Sequence, residues 1–277
     1  MPAPSIPLLS SFANPRVKAA TALRERRERD RTGLTLIDGA RELRRALEAG
    51  VEVVEAFVCE PLLAGVDARR ALDLLLDRGV TAQTVTEAVF AKLAFGERAE
   101  GLLAVAHIPA MGLDTISLPA DPLVAVIEAV EKPGNVGAVL RSADGAGVDA
   151  VVAASPRTDL FNPNAIRASA GTMFTVAVAA APTAEVLDWL RGADLRIVAA
   201  RVDAERLYTE ADLTGPIALV LGAEAAGLSD AWTASDIEPV RLPMLGAADS
   251  LNVSVSAAVL LYEARRQRGL PIAPAKE

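Results

Sequence analysis

Five polar residues in the C-terminal half of the chain stand directly beyond long apolar runs. Asn135 and Arg141 lie in "NVGAVLRSADGAG", which follows the run "PLVAVIEAV" and the turn "EKPG". Glu224 follows "IALVLGA", and Ser250 and Asn252 follow "VRLPMLGAAD". Taken singly, Asn135 reads as a helix cap, Arg141 as a surface cation and Glu224 as a solvated loop acid. Ser250 reads as the cap of the final helix "SLNVSVSAAVLLYEARRQR", which leaves Asn252 inside the first turn, where capping explains less. Taken together, an amide pair, a guanidinium, a carboxylate and a hydroxyl at successive strand ends read as one site at one edge of a sheet.

Other chemistries fit less well. "GAGVDA", Gly145 to Ala150, matches the dinucleotide pattern G-x-G-x-x-A, but a helix precedes it and the strand "DAVVAAS" follows. Pyrophosphate binding needs the reverse order, with the glycines opening a helix. Gly145 and Gly147 are therefore expected to end the helix and turn the chain. A Ser-His-Asp hydrolase would have to use His107, the single histidine, which ends the strand "GLLAVAHI" with no G-x-S-x-G motif in the chain. Clustered zinc ligands are absent from the sequence, so no metal is expected.

The elements that must position the five residues alternate between strand and helix. The chain has 277 residues, 52% hydrophobic and 23% charged, enough for two modest domains. The first is expected as a small α/β domain: a helix over "NPRVKAATALRERRERDRTG", strands at "LTLIDG", "VEVVEAFVCE", "VTAQTV" and "GLLAVAHI", and helices at "ARELRRALEAG" and "DARRALDLLLDRG". The second carries strands "PLVAVIEAV", "DAVVAAS", "LRIVAARV" and "IALVLGAE", whose unbroken apolar character suits a parallel sheet covered on both faces. The expected boundaries are a flexible tail at 1–15, a first domain at 16–108, a linker at 109–121 and a second domain at 122–277. Cys59, the single cysteine, cannot close an internal disulfide and points to a reducing, cytoplasmic setting. No signal peptide or membrane-spanning run is legible. The net charge of -8 argues against a generic nucleic-acid binder, yet arginines crowd the stretch from Arg16 to Arg45, and RNA binding is expected to depend on it.

Three ordered motifs give the chain a resemblance to the SpoU, or TrmH, family of RNA ribose 2′-O-methyltransferases of the SPOUT superfamily. They are "NVGAVLRSADGAGV", "LVLGAEAAGLS" and "LPMLGAADSLNVSVSAAVLLYEA". A further family-like element, "IRASAGTMF", lies between the first two, and "NPRVK" with "EGLLAVA" extends the resemblance into the N-terminal domain.

The resemblance implies a SPOUT-type α/β fold: a C-terminal parallel sheet with a deep trefoil knot, preceded by a small ribosomal-protein-like RNA-binding domain. It implies S-adenosylmethionine as cofactor, held by Gly222, Leu242, Met244 and Leu251, and a catalytic set of Arg141, Asn135, Glu224, Ser250 and Asn252. It also implies a homodimer with sites shared across the interface. The implied reaction is methyl transfer to a ribose 2′-hydroxyl. The N-terminal domain favours ribosomal RNA, most of all 23S RNA. A transfer RNA enzyme of the same chemistry and a non-catalytic RNA-binding assembly factor stay open as alternatives.

Overall fold

The computed structural model describes residues 8–94, 100–223 and 226–269. In chain order the elements are α1 (Pro15–Ala22), α2 (Arg26–Thr32), β1 (Leu34–Asp38), α3 (Ala40–Glu48), β2 (Val53–Val58), α4 (Val66–Asp77), β3 (Ala82–Thr84), α5 (Glu87–Leu93) and β4 (Leu102–His107). There follow β5 (Leu123–Glu128), α6 (Pro133–Ala146), β6 (Ala150–Ala154), α7 (Pro163–Ala168), β7 (Ala177–Ala181), α8 (Thr183–Gly192), β8 (Arg196–Ala200), β9 (Ile217–Leu221), β10 (Ile237–Val240) and α9 (Val253–Gln267). Contacts divide them into two compact units, one of Met1–Pro109 with Asp159–Thr175, the other of Ala110–Thr158 with Val176–Glu277.

The first unit is built on a four-stranded sheet in the order β1-β4-β2-β3, antiparallel except for the β2–β3 pair. Its core gathers Val17, Leu36, Phe57, Cys59, Phe90, Leu93 and Leu103. The single N-terminal helix expected from the sequence is two, because the chain breaks at Leu23–Glu25 before α2 ends on Gly33 in the left-handed region. Arg29, 1% exposed, takes up the carbonyls that the break frees, donating from Nη1 to Leu23 O at 2.7 Å and Arg24 O at 2.8 Å. Its Nε meets Asp159 Oδ2 at 2.5 Å. Within the stretch expected as a loose tail, Leu9 pairs in parallel with Val85, and Asn14 caps α1.

The segment Asp159–Thr175 belongs by contact to this first unit, although it lies far along the chain between β6 and β7. Thr35 Oγ1 donates to Phe161 O at 2.7 Å, Arg167 Nη1 lies 3.2 Å from Asp38 Oδ2, and Arg45 Nη1 donates to Ala170 O at 2.8 Å. A Cβ on Gly171, whose φ is +81°, would press on the backbone of Glu42.

The second unit holds a six-stranded parallel sheet in the order β10-β8-β9-β5-β6-β7. From β5 the chain moves outward through β6 to β7, then crosses to build β8, β9 and β10 on the other side. The switch point falls between β5 and β9, where the carboxyl ends of such sheets leave a crevice for ligands. Leu113, Ile116 and Leu118, in the stretch read as a linker, pack against this unit's core. α6 and α9 pack on each other. Gly147 is the left-handed C-cap of α6, and Gly145, expected to end the helix, lies inside its last turn.

Candidate active site

The sheet ends form the floor of the site. The strand β5, buried along its whole length, runs into a turn at Ala129 with φ +53° and then into α6, whose first residue is Pro133. A proline suits that position because the first helical N–H has no partner within the helix. Asn135 is therefore the third residue of α6, behind an N-cap at Lys132, and does not cap the helix itself. On α9 the capping role falls to Asn252 instead of Ser250: its Oδ1 accepts from Ser254 N at 2.9 Å and from Ser254 Oγ at 2.6 Å. The packing of α6 on α9 brings the two helix starts together, and Asn252 Nδ2 donates to Asn135 Oδ1 at 3.3 Å. One side chain thus both caps a helix and joins the two asparagines.

Arg141 is placed differently. It sits about 120° around α6 from Asn135 by helical geometry. Its side chain is exposed and makes no ion pair or hydrogen bond among the described residues. Glu224 lies outside the described residues. His107 is exposed at the end of β4 in the first unit.

A cavity of about 430 Å³ opens at the carboxyl ends of β8 and β9. Among its lining residues are Gly222, Leu242, Met244, Ser250 and Leu251, so five positions singled out in the sequence converge on one space. The wall includes apolar side chains from Leu221, Leu242, Met244, Leu251 and Val253, and polar groups from Arg201, Asp249, Ser250 and Ser256. Its volume and mixed lining fit a small-molecule site. Gly222 is required by the chain itself: a Cβ there would overlap the backbone of Gly227 and Leu228. Ala223 and Gly227 close that loop through Gly227 N to Ala223 O at 2.9 Å.

Arg201 and the neighbouring residues Ala200 and Val202 were not anticipated from sequence. They follow β8, and only the strand order brings that end beside β9. Arg201 is fixed by a fork onto Asp203, Nε to Oδ1 and Nη2 to Oδ2, both at 2.9 Å. Hydrogen bonds and charge from Arg201 hold the Asp203 carboxyl below the usual carboxylate range. Nη1 of Arg201 is buried without an acceptor. Among the described residues no cluster of three or more His, Cys, Asp or Glu side chains could hold a metal ion, and no helix is long and apolar enough to cross a membrane.

Comparison with known proteins gives the site a context. Residues 122–262 match the SpoU rRNA Methylase family, and residues 14–104 match the MRM3-like substrate binding domain. The chain is 34% identical over 258 residues to a 23S rRNA (uridine(2479)-2′-O)-methyltransferase of Streptomyces viridochromogenes, covering 89% of this chain and 87% of that one. It is 30% identical over 257 residues to the 23S rRNA (guanosine(2553)-2′-O)-methyltransferase RlmP of Bacillus subtilis, covering 93% and 98%. Among solved structures, an RNA 2′-O ribose methyltransferase superposes with a TM-score of 0.84 at 45% identity, covering 95% of this chain and 100% of that one. The SpoU methyltransferase AviRb of Streptomyces viridochromogenes, solved with AdoMet, superposes with a TM-score of 0.80 at 30% identity, covering 92% and 98%.

Proposed function

The chain belongs to the SpoU rRNA methylase family, and we propose that it transfers a methyl group from S-adenosylmethionine to a ribose 2′-hydroxyl of 23S ribosomal RNA. The observation that carries this reading is the cavity at the ends of β8 and β9, with the bonded pair Asn135 and Asn252 beside it. Leu242, Met244 and Leu251 would pack on the cofactor's adenine, and Gly222 brings backbone amide and carbonyl groups to the same wall. When bound, S-adenosylmethionine supplies an activated methyl group with a neutral leaving group. What is left to the protein is to align the attacking oxygen and to manage one proton.

The polar residues suit those tasks. Asn135 and Asn252, each holding the other, present amide groups in fixed orientation for the substrate ribose. Ser250 lines the cavity, and Glu224 is assigned to the same site on the family motif. Arg141 is a poor general base, because a guanidinium stays protonated in proteins. Its role here is to bind the phosphate beside the target ribose and to stabilise the alkoxide as it develops. Its exposed position, turned away from Asn135, suits delivery to the site of a partner subunit in a homodimer. Val255 and Tyr262 on α9, 47% and 53% exposed, are the apolar surface such a dimer would cover. Light scattering tests that arrangement, and a monomer at assay concentration refutes it. The knotted path of the last segment and a cytoplasmic setting belong to the same reading.

The first unit is the RNA-recognition unit in this reading. Much of the arginine stretch expected to meet RNA is committed within the fold: Arg16 to Glu55 and Gln83, Arg24 to carbonyls of Lys92 and Leu93, Arg29 to Asp159, and Arg44 to Asp67. Lys18, Arg26 and Arg27 remain exposed, with Arg26 in a loose pair with Asp30 at 3.4 Å. The two relatives modify a uridine and a guanosine, so the shared motifs do not choose the base. The test is transfer of labelled methyl groups to separated ribosomal and transfer RNA pools. Label in large-subunit RNA supports the reading; label in transfer RNA, or in no pool, overturns it.

A further inference from the structure

We propose that Glu128 is a positioning residue that holds the cofactor loop in place, an inference that rests on the S-adenosylmethionine reading of the cavity. Glu128 is the last residue of β5, on the sheet side of the switch point, and is 3% exposed. Its carboxylate pairs with no cation at salt-bridge distance among the described residues and is satisfied by neutral donors. Oε1 accepts from Thr183 Oγ1 at 2.9 Å and from Ser229 Oγ at 2.8 Å, and Oε2 accepts from Ser229 N at 2.7 Å. A charge this deep is costly unless its hydrogen bonds are complete, so these donors are the condition for its burial.

Two of the three bonds grip the same residue, and that residue closes the loop that lines the cavity. Gly222, Ala223, Ala226 and Gly227 belong to the wall, and Ser229 lies two residues past Gly227. At its start the loop is tied by the return of Gly227 N to Ala223 O. At its far end the tie is Glu128, with backbone and side chain of Ser229 both engaged. Thr183, the first residue of α8, donates to the same carboxylate oxygen as Ser229 Oγ and in turn meets Ser155 Oγ at 3.0 Å. Immediately after Glu128, Ala129 turns the chain toward Asn135. A single carboxylate therefore fixes the loop that shapes the cavity to the strand that leads to the two asparagines.

Glu128→Gln tests this by calorimetric titration with S-adenosylmethionine and S-adenosylhomocysteine, alongside a thermal melt. The amide carries no charge and one acceptor oxygen instead of two, so the bonds to Ser229 lose their charge assistance even where the hydroxyl turns to accept from the new NH2 group. The expected dissociation constants rise roughly tenfold to a hundredfold, as loss of a charge-assisted bond implies. The KM for the cofactor follows them, while kcat at saturating cofactor stays within about threefold, as a ground-state binding loss requires. Thr183→Val removes one bond from the same carboxylate but leaves both Ser229 bonds, and should lower the melting temperature with little change in affinity. Parallel melting losses in both variants with unchanged cofactor affinity would overturn the proposal. If Glu128→Gln does not fold, Ser229→Ala, which deletes the hydroxyl bond and leaves the backbone one, is read in its place: weaker cofactor binding supports the proposal and unchanged binding overturns it. Failure of the wild-type protein to bind either ligand would refute the cofactor reading itself, a result distinct from equal binding by wild type and variant.

Discussion

Removing Arg29 should destabilise the first unit without touching any group at the cavity. Its side chain is 1% exposed and that of Asp159 10%, and the guanidinium satisfies Asp159 Oδ2 together with the carbonyls of Leu23 and Arg24. Arg29→Met leaves a buried carboxylate and two buried carbonyls short of donors. Breaking one side of a buried pair costs about 3–5 kcal/mol. At roughly 2–4 °C per kcal/mol for chains of this size, the melting temperature should fall by about 6–20 °C. Asp159→Asn keeps the shape but strips the countercharge, and the double variant should cost less than the two singles added, by about 0.5–3 kcal/mol of coupling. Urea titration followed by circular dichroism gives the totals. Hydrogen exchange across Asp159–Thr175 gives the local loss, since Phe161, Arg167 and Ala170 are held by the same unit. A loss below about 1 kcal/mol in Arg29→Met, the range of a solvated surface pair, would refute the buried-pair account.

Further outcomes follow from other parts of the molecule. Gly222→Ala should abolish cofactor binding measured by calorimetry while leaving the first unit's melting unchanged, because the added methyl overlaps the backbone of Gly227 and Leu228. Cys59 is fully buried and its thiol is pushed up by that burial, so a thiol reagent at neutral pH should label it only after denaturant is added. Asp203, Asp212, Asp236 and Glu263 have pKa values lowered in the folded state, Asp203, Asp236 and Glu263 chiefly by arginine hydrogen bonds and Asp212 by Thr214. Groups of that sign stabilise the fold above their unfolded pKa, and the contribution is lost as pH falls through the folded values. Acid unfolding monitored by tryptophan fluorescence should therefore begin at higher pH in Asp203→Asn. Charge reversal at Arg26 and Arg27 should weaken RNA binding and flatten its salt dependence in a filter assay.

What could be read from sequence followed the strength of local patterning. β5 and β9, central and buried on both faces, announce themselves as "LVAVIE" and "IALVL". β7 and β10 do not, and both are edge strands: one reads "AVAAA", with a single β-branched residue, and the other carries Pro239, which an edge tolerates. Of the cavity residues, Ser250 was legible as a polar group beyond a strand end, while Gly222, Leu242, Met244 and Leu251 were legible only through the resemblance of their motifs to the SpoU family. Arg201 was not, since its place depends on β8 lying beside β9. The arginine stretch is less solvated than its composition suggests, for a related reason. Arg24, Arg29 and Arg45 look like a solvated basic face, yet each donates to backbone carbonyls, and those taken by Arg24 and Arg45 are distant in sequence. The allegiance of Asp159–Thr175 to the first unit has no local signal at all, and the shift of the α9 cap from Ser250 to Asn252 is a boundary displaced by two residues.

The central claim, methyl transfer to a ribose hydroxyl with Arg141 stabilising the developing charge, is tested most directly by single-turnover reaction on 23S RNA followed by nucleoside mass spectrometry. The wild-type protein should yield one 2′-O-methylnucleoside, and Arg141→Ala and Arg141→Lys should both lose most of the rate while still binding cofactor. A base-methylated product, or a near wild-type rate in Arg141→Lys, would contradict the account.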